Sequence, residues 1–219
     1  MRACPVPCCN QDACSAGASA TGRYRTVLWI VLAINAVMFL VEIVAGLAAG
    51  SAALQADALD FFADAANYGI SLFVLGLSIR WRASAALVKG GSMGLFGLWV
   101  IGTVVWHALH GTVPDWGTMS IVGVAALVAN AACLALLYGW RDGDANMRSV
   151  WICSRNDVAA NVAVLAAALG VFGTGTGWPD IIVAAVMAAL ALQGAATVVR
   201  QASSELREDL RSDRVVARN

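Results

Sequence analysis

Six stretches of the chain run apolar for the length of a bilayer crossing, at about residues 26–49, 54–79, 85–107, 117–139, 148–172 and 178–199. Each meets the ~20 mostly apolar residues that an α-helix needs to cross the hydrocarbon core. Short polar breaks separate them. Ala49-Gly50-Ser51 divides the first from the second, and Arg80-Trp81-Arg82 divides the second from the third, with Lys89 near the same end. Gly111 to Asp115, including Pro114, closes the third. Trp140 to Arg148 is a charged loop, and Gly173 to Pro179 a glycine-rich turn. The pattern predicts an all-α fold, a polytopic membrane protein with six transmembrane helices. Gly90, Gly91, Gly94 and Gly97 on the third helix would let a neighbour approach closely. Ordinary membrane-helix composition is the simpler account of them.

Composition sharpens the class. Hydrophobic residues make up 60% of the chain and charged residues only 13%, with mean hydropathy +0.73. Soluble domains carry roughly 25% charged residues, so a soluble globular domain is excluded. Formal net charge is zero, which implies no nucleic-acid partner.

Orientation follows from the basic residues. Arg2, Arg23 and Arg25 precede helix one; Arg80, Arg82 and Lys89 cluster about the second loop; Arg141 and Arg148 fall in the fourth, and Arg200 to Arg218 in the tail. The first, third and fifth loops hold no Lys or Arg, and Arg155 alone is read as lying inside a span. The positive-inside rule then places both the N- and C-termini in the cytoplasm. Residues 1–22 lack the apolar core of a signal peptide, and no lipidation motif is evident. A multi-pass protein of the cell membrane, the inner membrane of a bacterium, is expected.

Ionisable side chains are costly in lipid and mark pathways or binding sites. Helix two carries Asp57, Asp60 and Asp64 within eight residues. Asp60 and Asp64, four apart, stand one turn above the other on one face. Asp57 shares that face nearer the outer surface, as an access residue. Helix five carries Cys153 and Asp157 at the same spacing. Helix two runs inward, putting Asp64 roughly 15 Å below its outer end at 1.5 Å per residue, and helix five brings Asp157 to a similar depth. Asp60, Asp64, Cys153 and Asp157 are therefore expected to converge near the midplane as a four-coordinate site for a divalent transition metal. Ionised and empty, such a cluster repels itself; a metal ion or protons relieve the repulsion, which is the physical basis for metal–proton exchange.

Other polar residues receive plainer readings. Asn35 and Glu42 on helix one share a face. Glu42 is read as an interior polar partner or proton carrier, with Asn35, Asn67 and Asn161 as hydrogen-bonding support and the last two sharing the metal cavity. Cys133 on helix four is read as packing. Arg155 points away from the Cys153–Asp157 face and is read as snorkelling to the interface and pairing with Asp142 or Asp144, with a gating role as the alternative.

Three regions follow: a flexible cysteine-rich cytoplasmic arm (1–25), a six-helix transport domain (26–199) and a short charged cytoplasmic tail (200–219). The arm holds Cys4, Cys8, Cys9 and Cys14. In a reducing cytoplasm these thiols suit soft-metal capture better than disulfides. Their spacing matches no standard zinc module, and a leader without a defined thiol role is the alternative. The tail mixes both charges and reads as a short solvated helix.

The ordered series Asn35, Glu42, Gly46, Gly50-Ser51, Leu54-Gln55-Ala56-Asp57-Ala58-Leu59-Asp60 and Asp64 resembles the first two helices of the cation diffusion facilitators. Cys153 followed by Asp157-Val158-Ala159-Ala160-Asn161 looks like that family's metal-binding helix five, and Trp178-Pro179-Asp180 is similar to its opening of helix six. The resemblance covers residues ~26–200 in helix count, orientation and motif order. It implies a secondary transporter rather than an enzyme, exporting divalent metal from the cytoplasm in exchange for protons through a midplane site on helices two and five. Carried over by position, that site is Asp60, Asp64, Cys153 and Asp157. Cys in place of the usual His or Asp leans the expected cargo towards soft ions: zinc or cadmium first, with mercury or lead next. Family members usually end in a cytoplasmic metal-sensing domain, whereas only about 20 residues follow helix six here, too few to fold alone. Any homodimer is then expected to form through transmembrane helices. No cofactor beyond the transported metal is expected; the partners are metal ion, protons and membrane lipid. Two other readings stay open at this point: uptake or handling of a thiophilic metal such as mercury, and a membrane metal sensor that does not transport.

Overall fold

The computed structural model describes residues 22–73, 79–140 and 145–216; along these, the side chains of residues 22, 73, 79, 82, 140, 145–150, 152–153 and 208–216 fall outside the description. Six long helices make up the described residues: α1 (Gly22–Ala49), α2 (Ala52–Phe73), α3 (Ile79–His110), α4 (Trp116–Leu137), α5 (Ala145–Thr174) and α6 (Trp178–Val216). A single 3₁₀ turn, Tyr138–Trp140, follows α4.

The surface of this bundle is inverted relative to a water-soluble protein. Leu40, Val44, Leu95, Leu109, Ile121, Leu169 and Ile182 face outward, while Asn35, Glu42, Asp57, Asn130, Asn161 and Asp180 are buried. Lipid solvates the former, and the latter need internal partners, so the arrangement matches a bilayer environment. Of the described helices, α1, α3, α4, α5 and α6 are long and apolar enough to cross a membrane. The remaining helix, α2, carries three aspartates. Its 22 residues extend ~33 Å, also enough to span.

Helix boundaries depart from the expected loops at three places. Arg80-Trp81-Arg82, expected as a loop, lies inside the first turn of α3. Likewise α5 starts at Ala145, within the expected charged loop, and α6 runs past Arg200 to Val216. Charge marks where a helix leaves lipid, but only caps and breakers end the helix itself, and none of the helical stretches 80–82, 145–148 and 200–216 contains Gly or Pro. Lys89, expected near the start of the third helix and clustered with the basic residues of the second loop, is buried within α3.

The turns α1–α2, α3–α4 and α5–α6 gather at one end of the bundle. Each begins on a glycine at positive φ: Gly50 at 63°, Gly111 at 64° and Gly175 at 64°. This left-handed conformation closes a helix without a Cβ clash. The Asp115 amide donates to the Ala49 carbonyl at 3.0 Å, joining the first turn to the second. Asp115 also caps α4, its carboxylate accepting from Thr118 Oγ1 at 2.5 Å and from the Thr118 amide at 3.0 Å. The hydroxyl contact, then the amide, holds this carboxyl below its ordinary range. The cap's contribution is therefore present above the ordinary aspartate value and fades as pH falls through the lowered one.

The most extensive helix contact is between α3 and α6, and glycine is part of the reason. A Cβ on Gly90 would lie 2.8 Å from Val199 Cγ2, and one on Gly97 would lie 2.9 Å from Leu192 Cδ2. Gly91 faces open space. Close approach thus explains Gly90 and Gly97, and ordinary composition explains Gly91. Gly90→Leu is expected to lower stability by about 1–3 kcal/mol through overpacking, and Gly91→Leu to leave it unchanged. Thermal melting of the two variants in the same detergent checks the contrast.

Helix α2 is the centre of the bundle, packed against α1, α3, α5 and α6. Every residue from Ser51 to Leu59 is buried. Its buried start is held by one carboxylate. Asp180, in the first turn of α6, accepts from Ser51 Oγ at 2.6 Å, the Ala52 amide at 2.8 Å and the Ala53 amide at 3.1 Å.

Candidate metal centre

Asp60 and Asp64 project from α2 towards α5, and with Asp157 they line one cavity of about 220 Å³. That is room for several waters. The Asp157 carboxyl is within side-chain hydrogen-bonding reach of both Asp60 and Asp64. Its Oδ2 is buried with no donor. Three carboxyl groups facing one another supply acceptors only, so a cation or a proton is what the contact lacks. Among the described residues, no three Asp, Glu, His or Cys side chains stand close enough to grip a metal ion as they are. The carboxylates share a cavity without being drawn into a finished coordination shell.

Cys153 lies in α5 one turn before Asp157, and its side chain falls outside the described residues. Cys4, Cys8, Cys9 and Cys14 fall outside them as well, as do Asp142 and Asp144.

Several residues unmarked in the sequence reading complete the cavity. Asn156 joins the acids on the polar side, while Met93 of α3 and Met187 of α6 line the wall. Tyr68 donates from its hydroxyl to Asp64 Oδ2 at 3.1 Å and lies 3.3 Å from Ser154 Oγ. This joins α2 to α5 one turn below the acids. The signal was present as helical spacing: Tyr68 is four residues after Asp64, and Ser154 three before Asp157. The methionines carried none, because a thioether in an apolar helix looks like packing.

Asp57 belongs to a second buried cluster. Its Oδ2 accepts from Asn161 Nδ2 at 2.7 Å, and Asn161 Oδ1 accepts from Asn130 Nδ2 at 2.8 Å. On its other side Asp57 is within hydrogen-bonding reach of Glu42. Glu42, Asp57 and Asn161 have no exposed surface. Neither Glu42 oxygen nor Asp57 Oδ1 has another donor. Asn161 thus serves Asp57, and Asn67 accepts from Lys89 Nζ; neither lines the cavity, whose walls come from other residues. Asn35 donates to the Val31 carbonyl at 2.7 Å and to Cys133 Sγ at 3.7 Å. Cys133 is a buried free thiol packed among α1, α2 and α4 side chains, including Leu28, Val31 and Tyr68. Arg155 is exposed, its guanidinium carbon 5.7 Å from the centre of the Trp151 ring.

The family model for the cation efflux transmembrane domain matches residues 28–207 of this chain. The chain belongs to the cation efflux family. It is a multi-pass protein of the cell membrane. Among curated relatives, the zinc transporter ZitB of Yersinia pestis is 27% identical over 198 residues, covering 83% of this chain and 62% of the relative. The zinc transporter ZitB of Escherichia coli (strain K12) is 27% identical over 192 residues, covering 80% of this chain and 60% of the relative. The chain spans about three fifths of the length of these relatives. All three cavity carboxylates and both members of the Glu42–Asp57 pair fall within the matched family region.

Proposed function

We propose that this cation efflux family member exports divalent transition-metal ions from the cytoplasm in exchange for protons. The cargo is held between α2 and α5 by Asp60, Asp64 and Asp157, with Cys153 contributing from one turn before Asp157. The observation that carries this reading is that the carboxyl groups of Asp60, Asp64 and Asp157 line one cavity, with Asp157 Oδ2 buried and without a donor. A divalent ion or protons satisfy those oxygens equally, and exchange of one for the other is antiport. Six spans with both termini in the cytoplasm fit the basic residues at the chain ends and even loops. Zinc is the first cargo, since the relatives are named zinc transporters. Cadmium is next because of the Cys153 thiol.

Glu42 and Asp57 are the proton-carrying pair of this scheme, since a proton between the two carboxyls supplies the donor that their contact lacks. Asn161 and Asn130 orient Asp57 from α5 and α4. The cysteine arm collects soft metal on the cytoplasmic side, and its deletion is expected to weaken capture without abolishing transport.

Proteoliposomes loaded with a pH-sensitive dye test the scheme. Zinc or cadmium added on the cytoplasmic side should drive proton movement in the opposite direction. Metal flux with no proton signal would refute the coupling. Absence of flux for zinc, cadmium, mercury and lead alike would favour a sensor. Cys153→His should move the zinc-to-cadmium preference towards zinc by about tenfold, equivalent to ~1.4 kcal/mol in relative affinity. An unchanged ratio in metal-competition flux would remove Cys153 from the site.

A further inference from the structure

Lys89 is the only lysine or arginine buried among the described residues, with 6% of its surface exposed. It lies on α3, inside the bundle. A buried ammonium in a membrane helix needs a polar partner and marks a functional path. Here the Nζ donates to Asn67 Oδ1, a neutral amide. Asn67 sits one turn beyond Asp64 on α2, and Lys89 interacts electrostatically with Asp64. Met93, one turn beyond Lys89 on α3, lines the metal cavity. The ammonium therefore stands one turn along α3 from a residue of the cavity wall, tethered by an amide and within electrostatic range of Asp64.

We propose that Lys89 is a tethered counter-ion of the metal cavity, balancing the acid cluster when it is empty and competing with the dication when it is loaded. The inference rests on the transport reading above. A fixed positive charge beside the site repels a divalent cargo and lowers its affinity. An exporter has to release what it binds, and the lysine supplies a built-in push. Asn67 sets its reach: the amide holds the ammonium close enough to act on Asp64 without a permanent carboxylate pair that would cancel its charge.

The test compares the intact protein with Lys89→Gln and Lys89→Arg, measuring zinc affinity by equilibrium dialysis of purified protein and KM and kcat by proteoliposome flux. Lys89→Gln is expected to bind zinc about tenfold more tightly, with a lower KM and a reduced kcat as release slows. Lys89→Arg keeps the charge and should keep both constants near those of the native protein. Damage to packing would weaken binding or lower kcat alone, so tighter binding is the discriminating result. Should Lys89→Gln not fold, Lys89→Met, which needs no hydrogen-bond partner, takes its place. Unchanged or weaker zinc binding in a folded neutral variant overturns the proposal. So does loss of folded protein in both neutral variants while Lys89→Arg folds, which would assign Lys89 to structure. Absence of zinc flux in the native protein would instead refute the transport reading itself.

Discussion

Asp157→Asn is expected to reduce metal-driven proton movement by roughly 100-fold or more, while the protein still folds. The amide is isosteric with the carboxyl and places a donor beside Asp60 and Asp64, which otherwise face an acceptor with no partner. The change should therefore satisfy the empty cavity and remove its reason to take up a cation. Stability in detergent should hold or rise as transport falls, because a buried group that lacked a partner gains one. Asp64→Asn is expected to act in the same direction, with Tyr68 still able to donate to the remaining carbonyl oxygen. The assay is initial proton flux in proteoliposomes beside a thermal melt of the same preparation. Zinc flux that persists at the native rate in either variant would place the cargo site elsewhere.

The largest effect on stability is expected at Asp180. Its carboxylate accepts from Ser51 Oγ and from the amides of Ala52 and Ala53, at the buried start of the central helix. It also lies in the first turn of α6, so the positive ends of two helices meet at one buried anion. Asp180→Ala leaves those α2 donors buried and unpaired, at a cost of about 3 kcal/mol. For a chain of this size the melting midpoint should fall by roughly 6–12 °C. Asp180→Glu should recover only part of the loss, because the longer side chain misplaces both oxygens. A midpoint within experimental scatter of the native protein would show that the cap contributes little.

The two sites differ in how far sequence alone could reach them. Asp60 and Asp64 were legible because four-residue spacing puts them on one face and because acids in an apolar helix demand a reason. Asp157 was legible on the same ground. Asn156 was not, since the neighbour of a residue that faces the cavity normally faces away. The role of Asp180 was visible only as part of a Trp-Pro-Asp opening: its partners lie more than 120 residues earlier, and no local pattern encodes such a distance. The bounds of α3, α5 and α6 were misread because charge was taken as a break. Arginine and glutamate are good helix formers, so a helix passes through the membrane boundary without stopping.

Hydropathy and charge, which are properties of short windows, were enough to establish a helical membrane protein and to mark Asp60, Asp64 and Asp157 as residues needing partners. A helix-period pattern states which side chains share a face, but not which other helix that face meets. Only tertiary packing decided that the aspartates divide into two clusters, with Asp60, Asp64 and Asp157 on one cavity and Asp57 turned to Glu42 and Asn161. Packing alone also brought Lys89 inside the bundle, beside Asn67 and towards Asp64. Both outcomes depend on the rotation of each helix about its axis, which is determined by contacts between segments far apart in the chain.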